Sequence, residues 1–191
     1  MMDDSKLRTF LAIDVDESLM DKILDVQKKF TSTKANIKYV PKENLHFTLK
    51  FFGDVDRVMI SKISELVKET LHDFKPIELY VNGLGTFPNE EHVKVIWIGV
   101  SENNDFLNLL NTLDDKFKGL GFKKEKSYKF HLTIGRMKNS KNKKEVKNVV
   151  NECKDFEVGT MKISKLSLKK SELTPSGPIY SDLKTFKFNQ G

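Results

Sequence analysis

Two short runs hold the residues best suited to chemistry: His46-Phe47-Thr48-Leu49 and His131-Leu132-Thr133-Ile134, both of the form His-apolar-Thr-apolar. Of the 4 histidines in the chain, only these two have a threonine two places on. An imidazole has an ordinary pKa near 6.5, so around neutral pH one ring can accept a proton while a second donates one. Opening a cyclic phosphodiester by water needs both roles. A base deprotonates the attacking water and an acid protonates the departing ribose oxygen, each contributing about 10²–10⁴-fold. Threonine hydroxyls beside them can donate to the non-bridging oxygens, where charge concentrates in the transition state. Nothing in this scheme calls for a metal or a cofactor.

The spacing fits a β-strand. Side chains at i and i+2 share one face, about 7 Å apart, and those at i+1 and i+3 enter the other. Phe47, Leu49, Leu132 and Ile134 are then free to anchor two strands in a core. His46 with Thr48, and His131 with Thr133, are left on the open face. By the same alternation Lys50 falls on the face of His46, where it reads as an exposed lysine at a strand end. His72 and His92 lack the motif and read as surface or structural residues.

The elements that must position these groups follow one rhythm twice. Arg8–Val15 reads as a buried strand; a helix opened by Asp16 or Glu17 follows, apolar at Leu19, Ile23, Val26 and Phe30. After Ile37–Val40 and a turn at Pro41, a strand runs from Leu45 to Phe52 and stops at Gly53. Asp54 or Asp56 caps a helix carrying Ile60, Ile63, Val67 and Leu71, and Pro76 opens the strand Ile77–Val81. The second half begins with a strand at Val93–Val100 and a helix with Phe106, Leu109, Leu110, Leu113 and Phe117, closed at Gly119 or Gly121. A strand at Tyr128–Gly135, a short helix near Glu145–Cys153, and strands near Phe156–Ile163, Lys165–Lys169 and Ile179–Phe188 complete it, the last two joined by a Pro/Gly-rich turn at 174–178. Shifted by 85, Arg8–Val15 falls on Val93–Val100 and His46 on His131. This register points to two lobes related by an approximate twofold axis, each presenting one motif to a shared cleft.

Composition narrows the classes. The chain has 191 residues, 38% of them hydrophobic with 14 Phe, enough for one sizeable core. The single cysteine, Cys153, rules out an internal disulfide framework, and so few His and Cys leave little for a metal cage. No apolar run is long enough to cross a bilayer, and the opening residues lack a secretory pattern, so a cytoplasmic location is expected. A formal charge of +6 favours a polyanionic partner. Much of that excess lies in Lys138–Lys147, which reads as a solvated loop and helix start.

At its two motifs the sequence resembles the 2H phosphoesterase superfamily, named for paired His-x-Thr/Ser-x motifs. It resembles in particular the bacterial and archaeal RNA 2′,3′-cyclic phosphodiesterases once described as 2′-5′ RNA ligases. The likeness extends to Arg8-Thr-Phe-Leu-Ala-Ile13, to the strand containing Trp97, and to the run Leu168–Tyr180. It implies an α+β fold over residues 1–191, a single domain of two pseudo-twofold-related β-sheet lobes from an internal duplication, with outer helices and a central cleft. It also implies hydrolysis of RNA ends or cyclic nucleotides to 2′-phosphomonoesters by a monomer, without metal, cofactor or membrane. Ligation of RNA ends, or binding them without turnover, are the alternatives. By motif match His46 and His131 are catalytic and Thr48 and Thr133 bind phosphate. Near-symmetry leaves the roles of His46 as acid and His131 as base interchangeable. Arg136 binds substrate, provided the strand breaks at Gly135 to turn it back toward His131. Phe10 and Tyr180 could stack on a base, although core packing is the stronger expectation for both.

Overall fold

The computed structural model describes residues 6–125 and 129–189. Strand β1 (Lys6–Asp14) leads into α1 (Glu17–Lys29), whose N-terminus is capped by the Asp16 carboxylate accepting from the Ser18 amide. A short β2 (Ile37–Tyr39) precedes β3 (His46–Asp56) and α2 (Arg57–His72), capped by Asp56 accepting from the Met59 amide. Next come β4 (Ile77–Phe87), β5 (Val95–Val100) and α3 (Asn104–Gly119). The chain closes with β6 (His131–Met137), α4 (Lys143–Glu152), β7 (Glu157–Ile163), β8 (Lys165–Thr174) and β9 (Gly177–Lys187). Tyr128, the expected start of β6, lies outside the described residues. Two strands outrun their predicted ends because glycines at positive φ bend them without ending them: β3 passes Gly53 (φ +74°) and β4 passes Gly83 (φ +76°).

All strands pair antiparallel in the order β7-β4-β5-β6-β3-β1-β8-β9, with β2 added on β6. Two four-stranded groups meet at β6 and β3 through one pair, Phe47 opposite Leu132. Alternate strand residues, Leu11, Ile13, Phe47, Ile98 and Leu132 among them, are buried with the apolar stripes of the helices in a single core. The opposite face is left to the motifs.

The registers of β1·β3 and β5·β6 are superimposable. Phe10 faces Phe51, Leu11 faces Lys50, Ala12 faces Thr48, Ile13 faces Phe47 and Asp14 faces His46. In the second pair Val95 faces Arg136, Ile96 faces Gly135, Trp97 faces Thr133, Ile98 faces Leu132 and Gly99 faces His131. Every partner in the second set is its counterpart plus 85, from Phe10 to Val95 and from Phe51 to Arg136 alike. The irregularity repeats too: Leu49 and Ile134 are each the extra residue of a β-bulge directly after the motif threonine.

Candidate active site

Carrying the Phe47–Leu132 register one residue in each direction sets Thr48 across from His131 and His46 across from Thr133. The four side chains therefore alternate His, Thr, His, Thr around a quadrilateral on the open face. Direct neighbours in such a pair lie about 5 Å apart and the diagonal, here His46 to His131, spans about 7–8 Å. A diagonal of that order is wide enough for a phosphate to sit between the two side chains.

The rings are oriented alike. The Nδ1–H of His46 donates to the Asn44 carbonyl at 2.8 Å, and that of His131 to the Lys129 carbonyl at 2.5 Å, in each case the residue two places back. A carbonyl only accepts, so each bond fixes the proton on Nδ1 and leaves Nε2 for exchange with a ligand. Both histidines are partly exposed, Thr48 is open to solvent and Thr133 is half-buried.

Their surroundings differ. His46 is framed by Phe10 (ring centroids 4.9 Å apart) and Tyr180 (5.0 Å, edge-on). Burial pushes its pKa below the ordinary imidazole value; the Lys169 cation pushes the same way, while the Asn44 bond and Asp14 oppose. Lys169 is itself held by Asp14 at 2.8 Å and Asp182 at 2.6 Å. His131 instead meets the edge of Phe87 at 4.8 Å and lies 6.2 Å from Trp97. The indole lies against Gly85, where an added Cβ would come within 2.2 Å of it, so a larger residue there would have to displace the ring.

A pocket of about 270 Å³ lies on the His46 side, lined by Thr48, Arg8, Phe51, Arg136 and Tyr180. A second, of about 600 Å³, flanks His131 between Phe87, Trp97 and the start of α3. The bulge at Ile134 is what returns Arg136 to the motif face; the extra residue falls one place before the glycine expected to supply the break. Its carbonyl is secured by the Val40 amide at 3.0 Å and by Gln27 Nε2 at 2.9 Å, reaching from α1.

Lys50 is not on that face. The bulge at Leu49 turns it inward, where its ammonium is 6% exposed and bonds Asp114 (2.7 Å), Glu125 (3.0 Å) and the Lys123 carbonyl. Phe51 takes the open position instead, 48% exposed and 4.7 Å beneath the Arg8 guanidinium. The signal that could have found Phe51 was present in the sequence: it is Arg136 less 85. Phe10 is buried beside His46, and Tyr180 is half-buried against both rings. His72 and His92 are exposed away from the site. Among the described residues no group of three His, Cys, Asp or Glu side chains is gathered to hold a metal ion, and no helix is long and apolar enough to cross a membrane.

A family model described as the AKAP7 2′5′ RNA ligase-like domain matches residues 9–188. An RNA 2′,3′-cyclic phosphodiesterase of Methanothermobacter thermautotrophicus is 43% identical over 182 residues, covering 95% of this chain and 99% of that protein. One of Methanocaldococcus jannaschii is 42% identical over 178 residues, with 93% and 99% covered. Among solved structures, Escherichia coli LigT complexed with 3′-AMP superposes with a TM-score of 0.79 at 21% identity, covering 97% of this chain and 99% of that one.

Proposed function

The chain belongs to the AKAP7 2′5′ RNA ligase-like family of 2H phosphoesterases, and on that premise we propose that it hydrolyses RNA 2′,3′-cyclic phosphate ends to 2′-phosphomonoesters. The observation that carries the mechanism is the paired orientation of two imidazoles, each with Nδ1 tied to a carbonyl and Nε2 left for proton exchange, on strands that the Phe47–Leu132 pair sets side by side. His46, kept neutral by its burial, takes a proton from the attacking water; His131 delivers one to O3′ as the P–O3′ bond breaks. This exchanges the roles of His46 as acid and His131 as base, between which the near-symmetric sequence did not decide. Thr48 and Thr133 donate to the non-bridging oxygens, and Arg136 holds the nucleotide. The reaction requires no metal, because the two rings supply both proton transfers. The protein acts as a monomer in the cytoplasm, one domain whose shared register supports an origin by duplication.

The test is hydrolysis of cyclic-phosphate-ended RNA in excess chelator. Turnover is expected to persist, with the phosphate left on the 2′ oxygen, and to fall by about 10²–10⁴-fold in both His46→Ala and His131→Ala with the fold intact by circular dichroism. A fully active single variant, or loss of turnover on chelation, overturns the mechanism.

A further inference from the structure

Lys50 and Asp114 form an ion pair that the proposed reaction leaves unused. Both side chains are buried, with the ammonium 2.7 Å from the carboxylate. Desolvating two charges costs about as much as their attraction returns, so a well-packed apolar pair in their place is often neutral or stabilising. Stability alone therefore does not account for them. What they hold is specific: the Lys50 ammonium also donates to the Lys123 carbonyl and to Glu125 at 3.0 Å, and Asp114 accepts from the Glu125 amide at 2.6 Å. Lys129 stands four residues on from Glu125, and its carbonyl fixes the Nδ1 proton of His131.

The offset of 85 identifies what this cluster replaces. The segment before His46 lies on β6 as β2, with Lys38 opposite Arg136 and Tyr39 opposite Gly135, and the Val40 amide donates to the Ile134 carbonyl. Adding 85 to 37–40 gives 122–125, the segment before His131, and 85 less than Gly135 is Lys50. Phe122 does meet Phe52 there, with ring centroids 5.0 Å apart, yet residues 122–125 form no ladder with β3. The side chain of Lys50 bonds the segment instead, and Asp114 takes the amide of Glu125, the counterpart of Val40. On the other side Phe130 stacks on Phe47 at 4.8 Å and meets Phe106 edge-on at 4.6 Å. A stacked ring fixes a side chain, but the peptide plane bearing the Lys129 carbonyl can still turn unless the chain before it is held as well.

We infer that Lys50 and Asp114 are positioning residues for His131: they hold the approach to Lys129 so that its carbonyl keeps the ring in one tautomer and one orientation. This rests on the phosphodiesterase reading above, in which His131 delivers the proton to O3′.

Removing either charge alone strands the other in the core, so the informative variant combines Lys50→Met with Asp114→Leu. By urea titration it is expected to be as stable as the unmodified protein. With cyclic-phosphate-ended RNA its kcat falls about 10–100-fold while KM stays within about twofold, as for a misplaced proton donor. In ¹⁵N spectra recorded where both rings are neutral, His131 passes from the Nδ1–H form to a mixture of tautomers, while His46, tied to Asn44, keeps its Nδ1–H form. Unchanged kcat overturns the inference, as does a loss of rate in which His131 keeps its tautomer or both rings lose theirs alike. A double variant that loses most of its stability makes the pair structural and overturns it too. If the unmodified protein hydrolyses no cyclic-phosphate-ended RNA, the phosphodiesterase reading falls, and the His131 tautomer in the double variant decides by itself whether the pair positions the ring.

Discussion

His46 is set apart by its burial and by the charges within reach of its ring. Burial is the largest influence lowering its pKa, and Lys169 adds to it. A base with a depressed pKa stays neutral to lower pH than an ordinary imidazole, so the acid limb of kcat/KM, which follows protonation of the general base, is displaced to the acid side. Lys169→Gln removes a cation and leaves Asp14, one of the groups favouring the charged ring, without its partner at 2.8 Å. The His46 pKa therefore rises and the acid limb moves to higher pH; Asp14→Asn moves it the other way. Titrating the ring carbons of His46 by NMR beside the rate profile checks both. If the Lys169→Gln limb stays in place, the neighbouring charges contribute nothing and burial alone tunes the ring. The paired imidazoles were legible in the sequence because a period of two is a short-range rule. That burial would depress the His46 pKa was not, since the ring is covered in part by Tyr180, more than a hundred residues away.

Two bulges decide which side chains reach the cleft. Strict alternation over β3 and β6 would place Lys50 beside His46 and turn Arg136 away from His131; one extra residue in each strand does the reverse. Sequence reading foresaw the break in β6 through Gly135, yet missed the one in β3, because Leu49 and Lys50 carry no such sign. A bulge leaves backbone groups off the ladder, and at Ile134 the remedy comes from α1, where buried Gln27 donates to the carbonyls of Ile134 (2.9 Å) and Val40 (2.8 Å). Gln27→Leu deprives both carbonyls of that donor in a buried position. A loss of about 1–3 kcal/mol in stability is expected by urea titration. KM for cyclic-phosphate-ended RNA should rise more than kcat falls, since the seat of Arg136 loosens, held then by the Val40 amide alone, while the histidines keep their own carbonyl bonds. A purely structural role would lower stability and leave KM unchanged.

At the scale of the whole molecule the sheet order is symmetric about the β6–β3 junction, but the halves of the chain are exchanged across it. β4, from the first half, pairs with β5 of the second, and β8, from the second, pairs with β1 of the first. The repeat at 85 was legible because the first strand and the motif strand of each half obey one offset. The exchange was not, because periodicity within a segment carries no information about which neighbour it pairs with. Helices reinforce the exchange: α1 packs on β6 and β7, α2 on β9, and Asn189 near the C-terminus donates to the carbonyls of Leu71, Phe74 and, through its side chain, His72. The chain crosses between the two groups, α1 reaches from β1 to β6 and β7, and one core underlies both, even though a single residue pair joins β3 to β6. Unfolding is therefore expected in one step. Trp97, the only tryptophan, reports on β5, while far-ultraviolet circular dichroism reports on all the helices and strands together. In urea the two signals should trace one transition with a common midpoint. An indole signal that changes well before or after the backbone signal would mean that the lobes unfold separately and that the shared core and α1 do not couple them.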